Sequence, residues 1–390
     1  MLGGDEMEEV HWQLPLSSET NAQNIVDSVL GHAVQAGVSD IHIEPMDHCV
    51  RIRFRFDGVL FQAGELPSHM LEKITARVKI MSSLDIANKR LPQDGRMIWQ
   101  TDDRSIDMRV STMPTVRGEK TVIRLLDANR VHLDLDALGL GESVVPMLRR
   151  LSRNSKGLLL ISGPTNSGKT TTLYAMLREL LSPAVSIATM EDPVEYQLQG
   201  VSQSQINPKG GLLFHNGLRA LLRQDPDILV IGEMRDRETA EIAVRAALTG
   251  HLVFSTLHTS SAVEAPIRLA DMGIEKYLLS EALVGIISQK LVRKICRHCC
   301  VPAAEEQRQG RYRHVGCTHC FHTGYTGRIC LCEVVPVGRH MRKQIRNSDN
   351  AEILRDAAKA DGAWFMKQSV EEALAKGMTD WAEIQRMYDE

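Results

Sequence analysis

Between Asn21 and Gly37 apolar residues recur at Ile25, Val26, Val29, Leu30, Ala33 and Val34. This three-and-four spacing predicts an amphipathic helix that Gly37 closes. SDIHIEP follows as a strand, and VRIRFRFDGVL then alternates charged with apolar residues as far as Asp57-Gly58. Period two ending in a turn dipeptide predicts a half-buried strand entering a hairpin. Leu66 to Leu84 reads as a second helix, and RMIWQT, SIDMRVSTMP and EKTVIRLLD read as further strands. The result is an α+β unit with basic residues along one strand face.

From Gly157 the pattern changes to short apolar runs, GLLLIS, VSIATM, DILVIG and HLVFSTL, separated by helical stretches. Strands without alternation are buried on both faces, as in a parallel sheet covered by helices. The last ninety or so residues combine a cysteine cluster with amphipathic stretches such as AEILRDAAKADG and DWAEIQRMYDE. The chain therefore divides into a tail (1–20), an α+β domain (21–130), a linker (131–145), an α/β core (146–290), a cysteine-bearing subdomain (291–335) and a helical end (336–390). No internal repeat or low-complexity segment interrupts this order.

Composition narrows the function classes. With 390 residues, 43% hydrophobic and 24% charged, the chain is ordinary globular material. A formal charge of −3 and only 4% aromatic residues disfavour a nucleic-acid partner. No apolar run approaches a membrane span, and the acidic start MLGGDEMEEVHW is unlike a signal peptide, so a cytoplasmic location is expected.

GLLLISGPTNSGKTTTLYAMLREL places a G-x4-G-K-T loop between a strand and a helix. Gly163, Pro164, Thr165, Asn166, Ser167 and Gly168 form the phosphate-binding turn, with Asn166 at a position requiring a left-handed backbone. Lys169 reaches the β- and γ-phosphates, the Thr170 hydroxyl ligates magnesium, and Thr171 opens the helix. Downstream, DPDILVIGEMRD has Gly232 where such loops usually find a partner aspartate.

Taken together, GPTNSGKTTTLY, TMEDPVEY, LLRQDPDILVIGEMRD and AALTGHLVFSTLHTSSA resemble the Walker A loop, Asp box, Walker B strand and His box of the type II secretion and type IV pilus assembly ATPases. The likeness extends through RFRFDG, LPQDGR, DMRVSTMP and VIRLLD. It implies a RecA-like P-loop core behind a PAS-like α+β domain, ATP with Mg2+, and a homo-hexamer. The implied partners are an inner-membrane platform protein and a membrane-associated cytoplasmic anchor, with the motor held peripherally at the inner membrane.

In that family the Walker B run ends in Gly-Glu, so Glu233 is the implied acid. Glu191 is implied as the water-activating residue, with Glu195 beside it. His258, with His251 as the weaker candidate, is implied near the γ-phosphate. Arg96, Arg109 and Arg124 are implied as the charge supplied by the first domain.

CRHC (Cys296, Cys299) and CTHC (Cys317, Cys320) form a C-x2-C…C-x2-C pattern that four-coordinate structural zinc satisfies. Secretion and assembly members carry these pairs, whereas retraction members typically lack them. Cys300 is an alternative ligand to Cys299, and Cys330 and Cys332 are expected to be inert buried thiols. The competing functions are pilus retraction, a RecA-like nucleic-acid motor, and a zinc-stapled binding module without turnover.

Overall fold

The computed structural model describes residues 21–101, 105–126, 133–303 and 310–389. The expected tail (1–20) and the start of the expected linker lie outside the described residues. Two compact units emerge, one holding residues 21–126 with Gly316–Thr326 and the other holding the remaining described residues.

The first unit begins with α1 (Ala22–Ala36), capped by the Asn21 side chain, which accepts from the Asn24 N–H, and ended by Gly37 at φ 74°. All six predicted apolar positions of α1 are buried. Strands β1 (Asp40–Pro45), β2 (Cys49–Phe56), β3 (Val59–Pro67), β4 (Gln93–Gln100), β5 (Ser105–Thr115) and β6 (Gly118–Leu126) form one sheet in the order β3-β2-β1-β6-β5-β4. Its neighbouring strands pair antiparallel.

Helix α2 (Leu71–Met81) is shorter than the expected Leu66–Leu84. Leu66 and Pro67 instead finish β3 opposite Val50 and Cys49. The core pools α1 residues such as Leu30 with Ile41, Ile52, Phe54, Val78, Met108 and Ile123. Period-two alternation leaves the opposite sheet face to polar side chains.

The second unit starts with α3 (Val144–Ser152) and is built on β7 (Gly157–Ser162), α4 (Lys169–Leu180), β8 (Ile187–Glu191), β9 (Ser202–Gln205), α5 (Phe214–Leu221), β10 (Ile228–Ile231), α6 (Arg237–Leu248) and β11 (Leu252–Leu257). Every residue of β7, β8, β10 and β11 is buried. That is the burial expected of a sheet covered on both faces. Helices α7 (Ala265–Asp271) and α8 (Lys276–Ala282) lead into β12 (Leu283–Ile295).

The two-residue pair β13 (Val301–Pro302) and β14 (Tyr312–Arg313) precedes β15 (Tyr325–Pro336). The chain ends with α9 (Arg339–Asn347), α10 (Ala351–Ala360), α11 (Met366–Ala375) and α12 (Trp381–Asp389). The sheet order is β15-β12-β7-β11-β10-β8-β9. β12 runs past the end expected for the core at residue 290, and β15, from the region read as cysteine cluster and helices, extends the core sheet beside it. Among the described residues no helix is long and apolar enough to cross a membrane.

Candidate functional site

The phosphate loop leaves the buried end of β7 and feeds α4. Gly163 (φ 142°), Asn166 (φ 63°) and Gly168 (φ 86°) take positive φ, the conformation that lets successive N–H groups turn inward. Asn166 tolerates it as one of the few non-glycine residues that do. A side chain at Gly163 would meet the Gln289 carbonyl oxygen at 2.4 Å, so only glycine fits there. The Lys169 ammonium donates to the carbonyls of Gly163 (2.9 Å) and Pro164 (2.8 Å). Burial lowers its pKa to about 8, against the opposing pull of Glu233.

Gly232 follows β10 at the same end of the sheet. A Cβ there would stand 3.2 Å from Glu191 Cα and 3.3 Å from the Met190 carbonyl. Its own N–H donates to Met190 O (2.8 Å), and its carbonyl accepts from Thr256 Oγ1 (2.6 Å). The backbone is held between two strands, and a side chain there would press on the backbone at the end of β8. The acid moves one residue on, to Glu233.

Glu233 pairs with Arg235 (2.5 Å) and stands 3.8 Å from His258 Nε2. Burial, then Lys169 and Arg235, hold the His258 imidazole below its ordinary pKa, while Glu233 opposes them. Lys169, Glu233, His258 and Arg235 therefore form one electrostatic cluster at the loop. Arg235 was not singled out from the sequence. Its signal was available, because it lies two residues beyond Glu233 on a chain that leaves the strand.

Glu191 belongs to a different network. Its carboxylate accepts from the Tyr174 hydroxyl, from Thr189 Oγ1 (2.6 Å) and from Gln203 Nε2 (3.2 Å), and the residue is buried. Burial and the adjacent Glu191 carboxylate push the Tyr174 phenol well above its usual pKa, and the backbone hydrogen bond at Glu195 opposes them. The Glu191 carboxylate thus acts on Tyr174, whereas that of Glu233 acts on Lys169. His251 stands at the far end of β11 from His258, its Nδ1 3.1 Å from the Ala246 carbonyl, and it does not join the cluster.

Gln289, inside β12, is a loop-facing residue that sequence reasoning missed. It is fully buried, and its Nε2 donates to the Ser167 carbonyl (2.7 Å). A strand register of Ile287 opposite Ile161 and Ser288 opposite Ser162 carries it to the phosphate loop.

In the first unit, Arg96 of β4 lies opposite Arg109 of β5, and Arg109 opposite Arg124 of β6. Asp40 of β1 continues the row and pairs with Arg124 (3.0 Å) and Arg55 (3.6 Å). Like charges directly opposite in a sheet are destabilising. One aspartate on this row leaves it strongly cationic, suited to a polyanion.

The Sγ atoms of Cys296, Cys299, Cys317 and Cys320 all lie within 4.8 Å of one another. Tetrahedral thiolates around zinc stand about 3.8 Å apart, given Zn–S bonds near 2.3 Å. The donor set and its spacing fit that ion. Cys300 stands outside the group, with its Sγ 4.0 Å from Arg297 O. Cys330 and Cys332 pack in the core with their sulfurs 3.5 Å apart.

The family described as "Type II/IV secretion system protein" matches residues 16–386. The chain is 44% identical over 383 residues to "Type II secretion system protein HxcR" of Pseudomonas aeruginosa, covering 98% of this chain and 81% of that one. It is 42% identical over 389 residues to "Type II secretion system ATPase E" of Vibrio cholerae, covering 96% and 77%. Among solved structures it resembles the pilus retraction motor PilT with bound ADP, at TM-score 0.60 and 26% identity over 95% of this chain and all of that one. The Legionella pneumophila ATPase DotB shares the fold at TM-score 0.73 and 20% identity, covering 97% and 98%.

Proposed function

The chain belongs to the type II/IV secretion system protein family, and we propose that this type II secretion ATPase is a homo-hexameric motor pushing on an inner-membrane platform protein to assemble a pseudopilus. Its place is peripheral, at the cytoplasmic side of the inner membrane. The observation that carries the reading is the clustering of Lys169, Glu233 and His258 at a glycine-formed phosphate loop. Two identities above 40% over most of the chain to type II secretion proteins support the secretion role over pilus retraction.

In this reading the loop N–H groups and Lys169 bind the β- and γ-phosphates of ATP, and Thr170 Oγ1 holds Mg2+, which neutralises phosphate charge when bound. Glu233 orients the attacking water. We favour it over Glu191, whose two oxygens are already engaged by Tyr174, Thr189 and Gln203. For Glu233 to act, Arg235 must swing from its carboxylate, which frees a cation to face the transferring phosphoryl group. His258, held toward its neutral form, offers a hydrogen bond rather than a second charge. Arg96, Arg109 and Arg124 supply further positive charge to the nucleotide, and the four cysteines hold zinc as a closed structural site.

Steady-state phosphate release tests this. Lys169→Ala should lose ATP binding and hydrolysis with an unchanged circular dichroism spectrum. Glu233→Gln should bind nucleotide normally and lose at least about a hundredfold in kcat. Wild-type turnover by Glu233→Gln would return the water-orienting role to Glu191.

A further inference from the structure

Helix α9 buries one face and leaves the other as an uninterrupted row of cations. Met341 and Ile345 are buried, and they are the apolar side chains of the helix. Arg339, Arg342, Lys343 and Arg346 follow at i, i+3, i+4 and i+7, which places them on one face. Together with Val337, Gly338 and Asn347 they line a cavity of about 600 Å³.

The acids nearby are already engaged. Glu281 pairs with Arg346, whose Nε also donates to Ser280 Oγ (2.7 Å). Asp361 caps the start of the helix, accepting from the His340 ring and from the backbone N–H groups of His340 (3.2 Å) and Met341 (2.8 Å). Among the described residues no carboxylate pairs with Arg339, Arg342 or Lys343. The Nε of Arg342 is buried and has no acceptor among the described residues.

We propose that this face of α9 docks an acidic, carboxylate-rich segment of a partner protein. The cations are strung along the helix over about 10 Å, given a rise of 1.5 Å per residue, rather than converging on one point. A phosphate group asks for convergence, whereas carboxylates spaced along a segment match a row. A lipid surface is disfavoured because α9 exposes no apolar side chain to enter it. The surface lies outside the nucleotide site and does not depend on hydrolysis.

The test is fluorescence anisotropy with the whole chain and a fluorescein-labelled peptide repeating Glu-Ala-Ala-Glu, which sets carboxylates at helical spacing. The triple variant Arg339→Gln, Arg342→Gln, Lys343→Gln should weaken binding by about tenfold or more at moderate ionic strength. A control variant with the same charge change, Arg178→Gln, Arg219→Gln, Lys367→Gln on other helices, should bind as wild type. Basal ATPase activity should be unchanged in both, which separates this proposal from the nucleotide reading. Equal weakening in both variants, or no weakening in the first, would overturn the proposal. So would displacement of the peptide by pyrophosphate or by phosphatidylglycerol vesicles at lower concentration than by unlabelled peptide, since the site would then prefer phosphate.

Discussion

Replacing Gln289 by methionine keeps the side-chain volume and removes the amide that holds the Ser167 carbonyl. Isosteric swaps in packed interiors cost under about 1.5 kcal/mol, so the fold should persist. The specific cost is a buried carbonyl left without its donor, about 1–3 kcal/mol. That penalty falls on the loop conformation that presents its N–H groups, because a loop that opens can give Ser167 to water. If the whole penalty acts on this equilibrium, nucleotide affinity falls about 5- to 150-fold. The assay is titration of a fluorescent ATP analogue beside thermal unfolding. KM should rise in step with the dissociation constant, and kcat should change by no more than a few-fold, because Gln289 touches the loop and not the phosphoryl group. Gln289→Leu, which also lacks the donor and carries no charge, should behave like the methionine variant. Affinity within twofold of wild type, together with a lower melting temperature, would reduce Gln289 to a packing residue and refute the reasoning.

The remaining expectations concern protons and metal. Lys169 has a pKa near 8 in the folded chain and near 10.5 in an unfolded one, so raising pH through 8 strips the loop of its ammonium while the unfolded chain keeps its own. Nucleotide affinity should therefore fall above pH 8, and binding there should take up a proton, read as a dependence of calorimetric enthalpy on buffer ionisation heat. The sign for stability is the reverse. The unfolded state holds more protons between those two values, so this lysine's contribution to stability rises with pH across that window. For the cysteines, elemental analysis of the purified chain should give one zinc per chain. Cys317→Ser with Cys320→Ser should abolish it and lower the melting temperature, while Cys330→Ser should leave the zinc content intact.

Much of the fold could be read locally. Asn21 and Gly37 announce the ends of α1, Asp57-Gly58 announces a hairpin, and the loop glycines sit where the backbone demands them. Elements whose partners are distant in sequence were harder to read. LVGIISQKLVRKI lacks clean alternation because β12 is buried on both faces along its first half and not along its second. Gln289 in its middle therefore looks like a polar interruption rather than a group aimed at a loop more than a hundred residues earlier. Glu191 presents the same difficulty. Its place after a buried strand is visible, but the hydroxyl and amide that occupy it come from Tyr174 and Gln203, which no spacing rule connects to it. The helix expected from Leu66 starts later because pairing with β2 outweighs local propensity at Leu66 and Pro67.

The arginine row has a consequence for how this chain can vary. Each of Arg96, Arg109 and Arg124 comes from a different strand, so their alignment is a property of pairing register and not of any one segment. Thr115 pairs with Gly118, and only Val116 and Arg117 bridge β5 to β6, with Val116 almost entirely exposed. The identities of those two bridging residues are open to drift. The pairing itself is not, because a slip of β6 by one place would turn Arg124 toward the core while Ile123 faced water, and pairing with β1 holds it against that slip. A cationic surface assembled across strands is thus insensitive to substitution in the turn that joins them and dependent on the register in which they pair.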